Sequence, residues 1–262
     1  MAKGQVFKRV EKKYLLTEEK YQAFLAGIEP YMQADDYGLT KILNIYFDTD
    51  QFDLVRRSIE KPAYKEKFRI RSYGVPQDDD TVFLEIKKKY DGVVYKRRET
   101  LKAWETRKFL AGEKPAKDTQ IMREIEYFLN FYQPKPQFFI GYDRVAYFGK
   151  EDAELRMTFD RNLRYRRENL RLSAGDQGTT VLPEGTYILE IKVPGAFPMW
   201  LSELLSKLEI FQVSFSKYGS IYEDLGVALM QEQIRAARKV RQPVYLPAGV
   251  TIMQNRPVYA LG

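Results

Sequence analysis

Apolar and polar residues alternate with a period of two through much of this chain, which predicts strands. Residues 5–15 alternate weakly. Residues 41–48 (KILNIYFD), 64–73 (YKEKFRIRSY), 81–89 (TVFLEIKKK) and 93–100 (VVYKRRET) are further strands, with an Asp91-Gly92 hairpin signal between the last two. Residues 137–147 (QFFIGYDRVAY), 154–166 (ELRMTFDRNLRYR) and 186–193 (TYILEIKV) complete the set, with a Gly-rich loop over 173–185. Helical spacing appears elsewhere. Tyr21, Phe24, Leu25 and Ile28 recur between an N-cap at Thr17 and a stop at Pro30. A helical turn is expected around Phe52, Leu54 and Val55. Longer helices are expected over 101–112, over 119–132 (Ile121, Ile125, Phe128 and Leu129 on one side) and over 198–209. Ser216 opens a last helix reaching about residue 238, and the chain from Pro243 is irregular. No repeat or long linker divides the sequence. The expected organisation is one domain over 1–240 and a tail over 241–262.

Strand parity changes the picture from a list of elements to a candidate site. Residues i and i+2 share a face of a strand. Arg69 and Arg71 therefore oppose Phe68 and Ile70, and Phe83, Glu85 and Lys87 oppose Val82, Leu84 and Ile86. Arg156, Thr158 and Asp160 oppose Leu155, Met157 and Phe159. Ile188, Glu190 and Lys192 oppose Tyr187, Leu189, Ile191 and Val193. Lys96 and Arg98 share a face, and Arg144 stands among apolar and aromatic neighbours. For any single strand, a solvated outer face explains such a pattern. At least four strands repeat it, however, with cations dominating, and like charges opposite one another destabilise a sheet unless an anion compensates them. If the sheet curls, the charged faces converge inside a barrel and the apolar faces turn outward under the helices. Such a lumen would grip a triphosphate-sized anion through Arg clamps and Lys point charges. Glu11, Glu85 and Glu190 would offer oxygen ligands to a divalent metal.

Composition narrows the chemistry. The 262 residues carry 43 Lys+Arg against 36 Asp+Glu, a net charge of +7 that favours polyanionic partners. There is no Cys and no His. That excludes disulfides, thiolate nucleophiles, Ser-His-Asp triads and Cys- or His-ligated zinc, and leaves oxygen-bound Mg²⁺ or Mn²⁺ as the metal to expect. No GxxxxGK[ST] or GxGxxG sequence is present. Arg164-Tyr165-Arg166-Arg167 reads as a solvated strand end, with nucleic acid as the competing partner. No stretch approaches the length of a membrane helix and no signal peptide is recognisable, so a soluble cytoplasmic protein is the expectation.

Eight short motifs follow one another in order: EKKY at 11–14, FRIRSY at 68–73, LEIKKK at 84–89, YKRR at 95–98, YDRVAY at 142–147, LRMTFD at 155–160, LEIK at 189–192 and SKYG at 216–219. Together they resemble the catalytic domain of the vacuolar transporter chaperone (VTC) polyphosphate polymerases, in the triphosphate tunnel metalloenzyme (CYTH-like) superfamily. The resemblance implies an α+β fold whose antiparallel sheet closes into a barrel, a tunnel with a charged lumen flanked by helices. It implies that Lys13, Arg69, Arg71, Lys87, Arg144, Arg156, Lys192 and Lys217 line the tunnel, that Glu190 binds the metal and that Glu85 assists. Ser216 and Lys217 at a helix N-terminus form a phosphate site on physical grounds also. Hydrolytic members begin Glu-x-Glu-x-Lys, whereas this chain has Arg9 at the first carboxylate. The departure points to the polymerase branch. The expected activity is transfer of the γ-phosphoryl of ATP to inorganic polyphosphate with release of ADP. A metal-dependent triphosphatase and a non-catalytic polyphosphate-binding module remain the alternatives.

Overall fold

The computed structural model describes residues 9–91 and 93–240. The expected tail over 241–262 and the first residues of the expected opening strand lie outside them. The elements in chain order begin with β1 (Arg9–Leu16), α1 (Glu18–Ile28), β2 (Met32–Ala34), β3 (Thr40–Asp48) and α2 (Asp53–Glu60). They continue with β4 (Tyr64–Tyr73), β5 (Thr81–Tyr90), β6 (Val93–Lys102), α3 (Ala103–Leu110) and α4 (Gln120–Tyr132). Next come β7 (Lys135–Gly149), β8 (Arg156–Arg166), a 3₁₀ turn (Leu172–Ala174), β9 (Thr179–Thr180) and β10 (Tyr187–Pro194). The last are α5 (Met199–Lys207), β11 (Gln212–Val213) and α6 (Lys217–Val240). The residues up to Asp224 form one compact unit and those from Leu225 another.

The local signals act as expected where they are chemical. The Thr17 hydroxyl accepts the Lys20 N–H at 3.3 Å and caps α1. A second cap, not anticipated from the sequence, is Thr119, which accepts the Met122 N–H at 3.1 Å at the start of α4. α2 starts differently. Phe52 at its N-cap has φ 57° and offers no side-chain acceptor; the Asp48 carboxylate at the end of β3 takes the Leu54 and Val55 N–H groups instead, each at 2.9 Å. β2, β9 and β11 have three, two and two residues, too short for an alternation to show in sequence.

All strands join one antiparallel sheet in the order β11-β1-β10-β8-β7-β3-β4-β5-β6, with β2 on β7 and β9 on β8. The expected closed barrel is corrected here: among the described residues no pairing joins β6 to β11 or β1, so the sheet is curled but open. The free side of β1 is taken by β11, through Lys13↔Val213 and Tyr14↔Gln212, which leaves β6 and β11 as separate edges. The curl is nevertheless pronounced. Lys87 on β5 lies within electrostatic reach of Glu11, Lys13 and Glu190 on β1 and β10.

Two apolar cores lie on the convex face. Phe68, Ile70, Val82, Leu84 and Ile86 pack with Phe109 of α3 and Met122, Ile125 and Phe128 of α4. Met157, Phe159, Leu189, Ile191 and Val193 pack with Phe24 and Ile28 of α1 and Leu201 and Leu205 of α5. A Cβ on Gly27 would come within 2.5 Å of a Leu204 methyl carbon, so glycine is what allows α1 to approach α5. With the apolar parity buried on the convex side, the charged parity has only the concave side left. No described helix is long and apolar enough to cross a membrane.

Candidate anion site on the concave face

Register places the charged residues in rows across the sheet. Arg98, Glu85, Arg69 and Tyr46 are successive partners on β6, β5, β4 and β3. Lys96, Lys87 and Lys67 form the adjoining row. On the other half, Lys13 faces Glu190, which faces Thr158, and Glu11 faces Lys192, which faces Arg156. Arg144 faces Asp160. The first turn of α6 sits in the hollow between these halves. Lys217 reaches Asp160 on β8 at 2.6 Å, the Tyr218 hydroxyl donates to Asp48 on β3 at 2.8 Å, and Ser216 Oγ lies 3.4 Å from Lys67 Nζ on β4.

Three carboxylates organise the cations. Glu85 is 2% exposed and takes Arg69 through Nε at 2.8 Å and Nη2 at 2.7 Å. Its other oxygen accepts Arg98 Nε at 2.7 Å, with Lys96 at 3.5 Å, while Arg71 lies 3.7 Å from the first. Burial alone would raise its pKa; Arg69, Arg71, Lys96 and Arg98 outweigh that and hold it well below the usual carboxylate range. Asp160, fully buried, receives Arg144 in a two-pronged contact, Nε at 2.5 Å and Nη2 at 2.8 Å, as well as Lys217. Glu190 meets Lys192 at 2.5 Å and Lys13 at 3.4 Å. Burial opposes its ionisation, but Lys192, Lys13 and Lys217 keep it strongly depressed. Glu11 pairs with the same Lys13, so two carboxylates converge on one ammonium.

The expected residues divide into those gathered and those at the rim. Lys13, Arg69, Arg71, Lys87, Lys96, Arg98, Arg144, Lys192 and Lys217 all belong to the concave face, and Ser216 caps α6 by accepting the Gly219 N–H at 3.2 Å. Arg156 is exposed and, among the described residues, donates to the Ala153 carbonyl at 3.4 Å, which puts it at the mouth. Sequence reasoning did not single out Lys67, Asn44, Tyr46 or Tyr142. Lys67 has the parity of Arg69 and Arg71, so the same rule extended by two residues finds it. Asn44 fixes Arg71 (Oδ1 to Nε, 3.0 Å) and Tyr46 fixes Arg69 (OH to Nη1, 2.7 Å), roles with no sequence signal. Tyr142 is buried beneath Lys217, whose Nζ lies 4.6 Å from the ring centre. Burial would raise its phenol, yet Arg71, Arg144 and Lys217 bring it down to about 8.

A divalent cation finds no cage of three or more acidic residues among the described residues. It does find the pair Glu11 and Glu190. That suits a metal of the Mg²⁺ type, which binds through one or two carboxylates and completes its shell with water and substrate phosphates. Glu85 has both oxygens committed to guanidinium groups. Chemically the face can desolvate and orient an extended oxyanion and neutralise charge along it.

Residues 8–225 match the VTC domain. Vacuolar transporter chaperone complex subunit 4 of Trypanosoma brucei brucei is 26% identical over 271 aligned positions, which cover 82% of this chain and 34% of that protein. This chain thus spans about a third of its relative's length. Among solved structures, a Bacillus halodurans protein described as an inferred adenylate cyclase has a TM-score of 0.50 at 16% identity, covering 79% of this chain and 93% of its own. A Hippeastrum protein described as an inferred adenylyl cyclase with a dominant triphosphatase activity has a TM-score of 0.50 at 16% identity, covering 82% and 96%. The two structures share the fold alone; the domain match covers most of the chain and its charged strands, and the chain belongs to the VTC domain family.

Proposed function

We propose that this chain is a polyphosphate polymerase, moving the γ-phosphoryl group of ATP onto the end of an inorganic polyphosphate chain and releasing ADP. The observation that carries the reading is the curled concave face, where cations from both halves of the sheet and from α6 surround a single space. The attacking group is a phosphate oxygen, ionised at neutral pH. The reaction therefore needs little general-base help, consistent with a chain that has no His. The work left to the protein is alignment and charge neutralisation. Arg69 and Arg71 are held by Glu85, Tyr46 and Asn44 with N–H groups to spare, and Arg144 and Lys217 are held on Asp160. Lys87 adds a point charge between the halves, Lys13, Lys96, Arg98 and Lys192 add phosphate contacts, and Arg156 meets the anion at the mouth. Glu190 and Glu11 would hold Mn²⁺ or Mg²⁺, which supplies neutralisation of the oxygens in transfer; Glu85 anchors the arginines instead. Arg9, where hydrolytic members carry a carboxylate, supports transfer to phosphate over transfer to water. ATP and polyphosphate or pyrophosphate are the proposed ligands, and nucleic acid is not among them.

The test is incubation of the purified chain with ATP and Mn²⁺, with products resolved by phosphate chain length. Long chains together with ADP are expected. Conversion of triphosphates to orthophosphate would instead assign a triphosphatase, and tight polyphosphate binding without any product would assign a binding module.

A further inference from the structure

One row of the concave face carries charge that the protein itself leaves uncompensated. Lys67 on β4 is the register partner of Lys87 on β5, and Lys87 is the register partner of Lys96 on β6. The adjoining row is Arg69, Glu85 and Arg98, cations on either side of a carboxylate. Opposite charges support that row, and like charges strain the lysine row. Lys96 leans back to Glu85 at 3.5 Å. Among the described residues, neither Lys67 nor Lys87 has a carboxylate within ion-pair distance. Asp48 is felt by Lys67, but its oxygens are committed to the Leu54 and Val55 N–H groups and the Tyr218 hydroxyl. Lys87 feels Glu11 and Glu190 only from across the hollow. The hydrogen bond Lys67 makes is a long one, 3.4 Å to Ser216 Oγ. Burial, then Lys65, Lys87 and Arg69, push its ammonium down to about 8.

We propose that Lys67, with Lys87 and the Ser216 hydroxyl, forms a distinct phosphate subsite that holds a unit of inorganic polyphosphate remote from the unit bound by Arg69, and so makes the site favour long chains over pyrophosphate. Two residues along a strand separate the rows by about 7 Å, so an extended chain lying across both rows presents different phosphate units to Lys67 and to Arg69. Phosphate oxygens between Lys67 and Lys87 turn their repulsion into shared attraction, and the hydroxyl supplies a donor at the same level. An ammonium is suited to this place: a point charge without the fixed fork of an arginine lets a chain unit be held and released as the chain is lengthened. The inference rests on the polyphosphate reading given above.

Calorimetric titration of the full chain with pyrophosphate, tripolyphosphate and long-chain polyphosphate tests it, using wild type, Lys67→Met and Lys67→Arg. Wild type is expected to bind tighter as the chain lengthens. Lys67→Met should lose about tenfold on long chains, as for a charge-assisted hydrogen bond, with pyrophosphate nearly unchanged, and Lys67→Arg should keep the long-chain affinity. Lys67→Met should also melt no lower than wild type at neutral pH, since it removes a crowded charge. Lys67→Gln is the second neutral variant, carrying the same binding expectation. An equal loss at every length would overturn the subsite in favour of a general field effect. Affinities equal to wild type at every length would also overturn it, leaving the tunnel reading intact. A wild type that binds none of the three anions would sink the tunnel reading itself.

Discussion

Glu85 and Glu190 are both carboxylates on the concave face, both kept ionised by cations that outweigh their burial. What holds them differs in kind. Glu85 is gripped by the Arg69 and Arg98 guanidiniums, planar forks that match both of its oxygens. Glu190 is held by Lys13 and Lys192, flexible point charges, and has the second carboxylate Glu11 beside it. A fork contact is hard to exchange and fixes its arginines in space. A lysine contact is easily traded for a metal ion. The difference teaches that one carboxylate serves the architecture of the anion site, while the other is available to its chemistry.

The largest expected effect separates them directly. Glu190→Gln should lower turnover by about a hundredfold or more, the scale of losing a transition-state electrostatic group, while polyphosphate still binds. A steady-state assay and a titration on the same preparation check it; full activity in this variant would remove Glu190 from the metal. Glu85→Ala should act on the fold, costing about 3 kcal/mol, the low end for a broken buried pair because Arg98 and Lys96 remain partly solvated. Urea denaturation measures the loss, and added polyphosphate should recover part of it by supplying the missing negative charge. If polyphosphate gave Glu85→Ala no more stabilisation than wild type, the counter-ion role would be wrong.

Acid gives a smaller, graded test. Both glutamates have folded pKa values below the ordinary 4.5, so their contribution is complete above that value and is lost as pH falls further through the folded values. Melting temperature should drop below about pH 4.5, and less steeply in Glu85→Gln. Alkali should act oppositely through Lys67, whose pKa falls from 10.5 to about 8: the folded state gives up its proton first, so stability rises between those values. Lys67→Met should flatten that rise. The smallest effect lies away from both carboxylates. Thr17→Ala should remove the α1 cap and cost about 1 kcal/mol with no change in anion affinity, which calibrates the denaturation measurements.

Most of the long elements were legible in the sequence because parity and helical spacing persist for eight residues or more in them. β4 and the helix cap at Thr17 follow directly from local chemistry. The expected helix over 101–112 began inside β6, which runs to Lys102, because pairing with Thr81 and Val82 extends the strand beyond its alternating stretch. The cations of the site were legible for the same reason as the strands: Arg69, Arg71, Lys87 and Lys192 sit at the polar parity. Their anchors were not. Asn44, Tyr46 and Tyr142 look like ordinary strand residues; register pairs Asn44 with Arg71 and Tyr46 with Arg69, and Arg71 Nη2 reaches the Tyr142 hydroxyl, two strands away, at 3.4 Å.

By itself the sequence determined which face of each strand is charged, that no histidine or thiol chemistry is available, and which family motifs are present in order. These are local properties, written in residue type and in a period of two. Tertiary structure alone decided that the sheet curls without closing. Strand pairing depends on which edges meet, and β11 occupies the side of β1 that closure would require. It also decided how the carboxylates are shared, giving Glu85 to guanidiniums and Glu190 to lysines. Those assignments depend on residues far apart in the chain whose distances are set by register and curl.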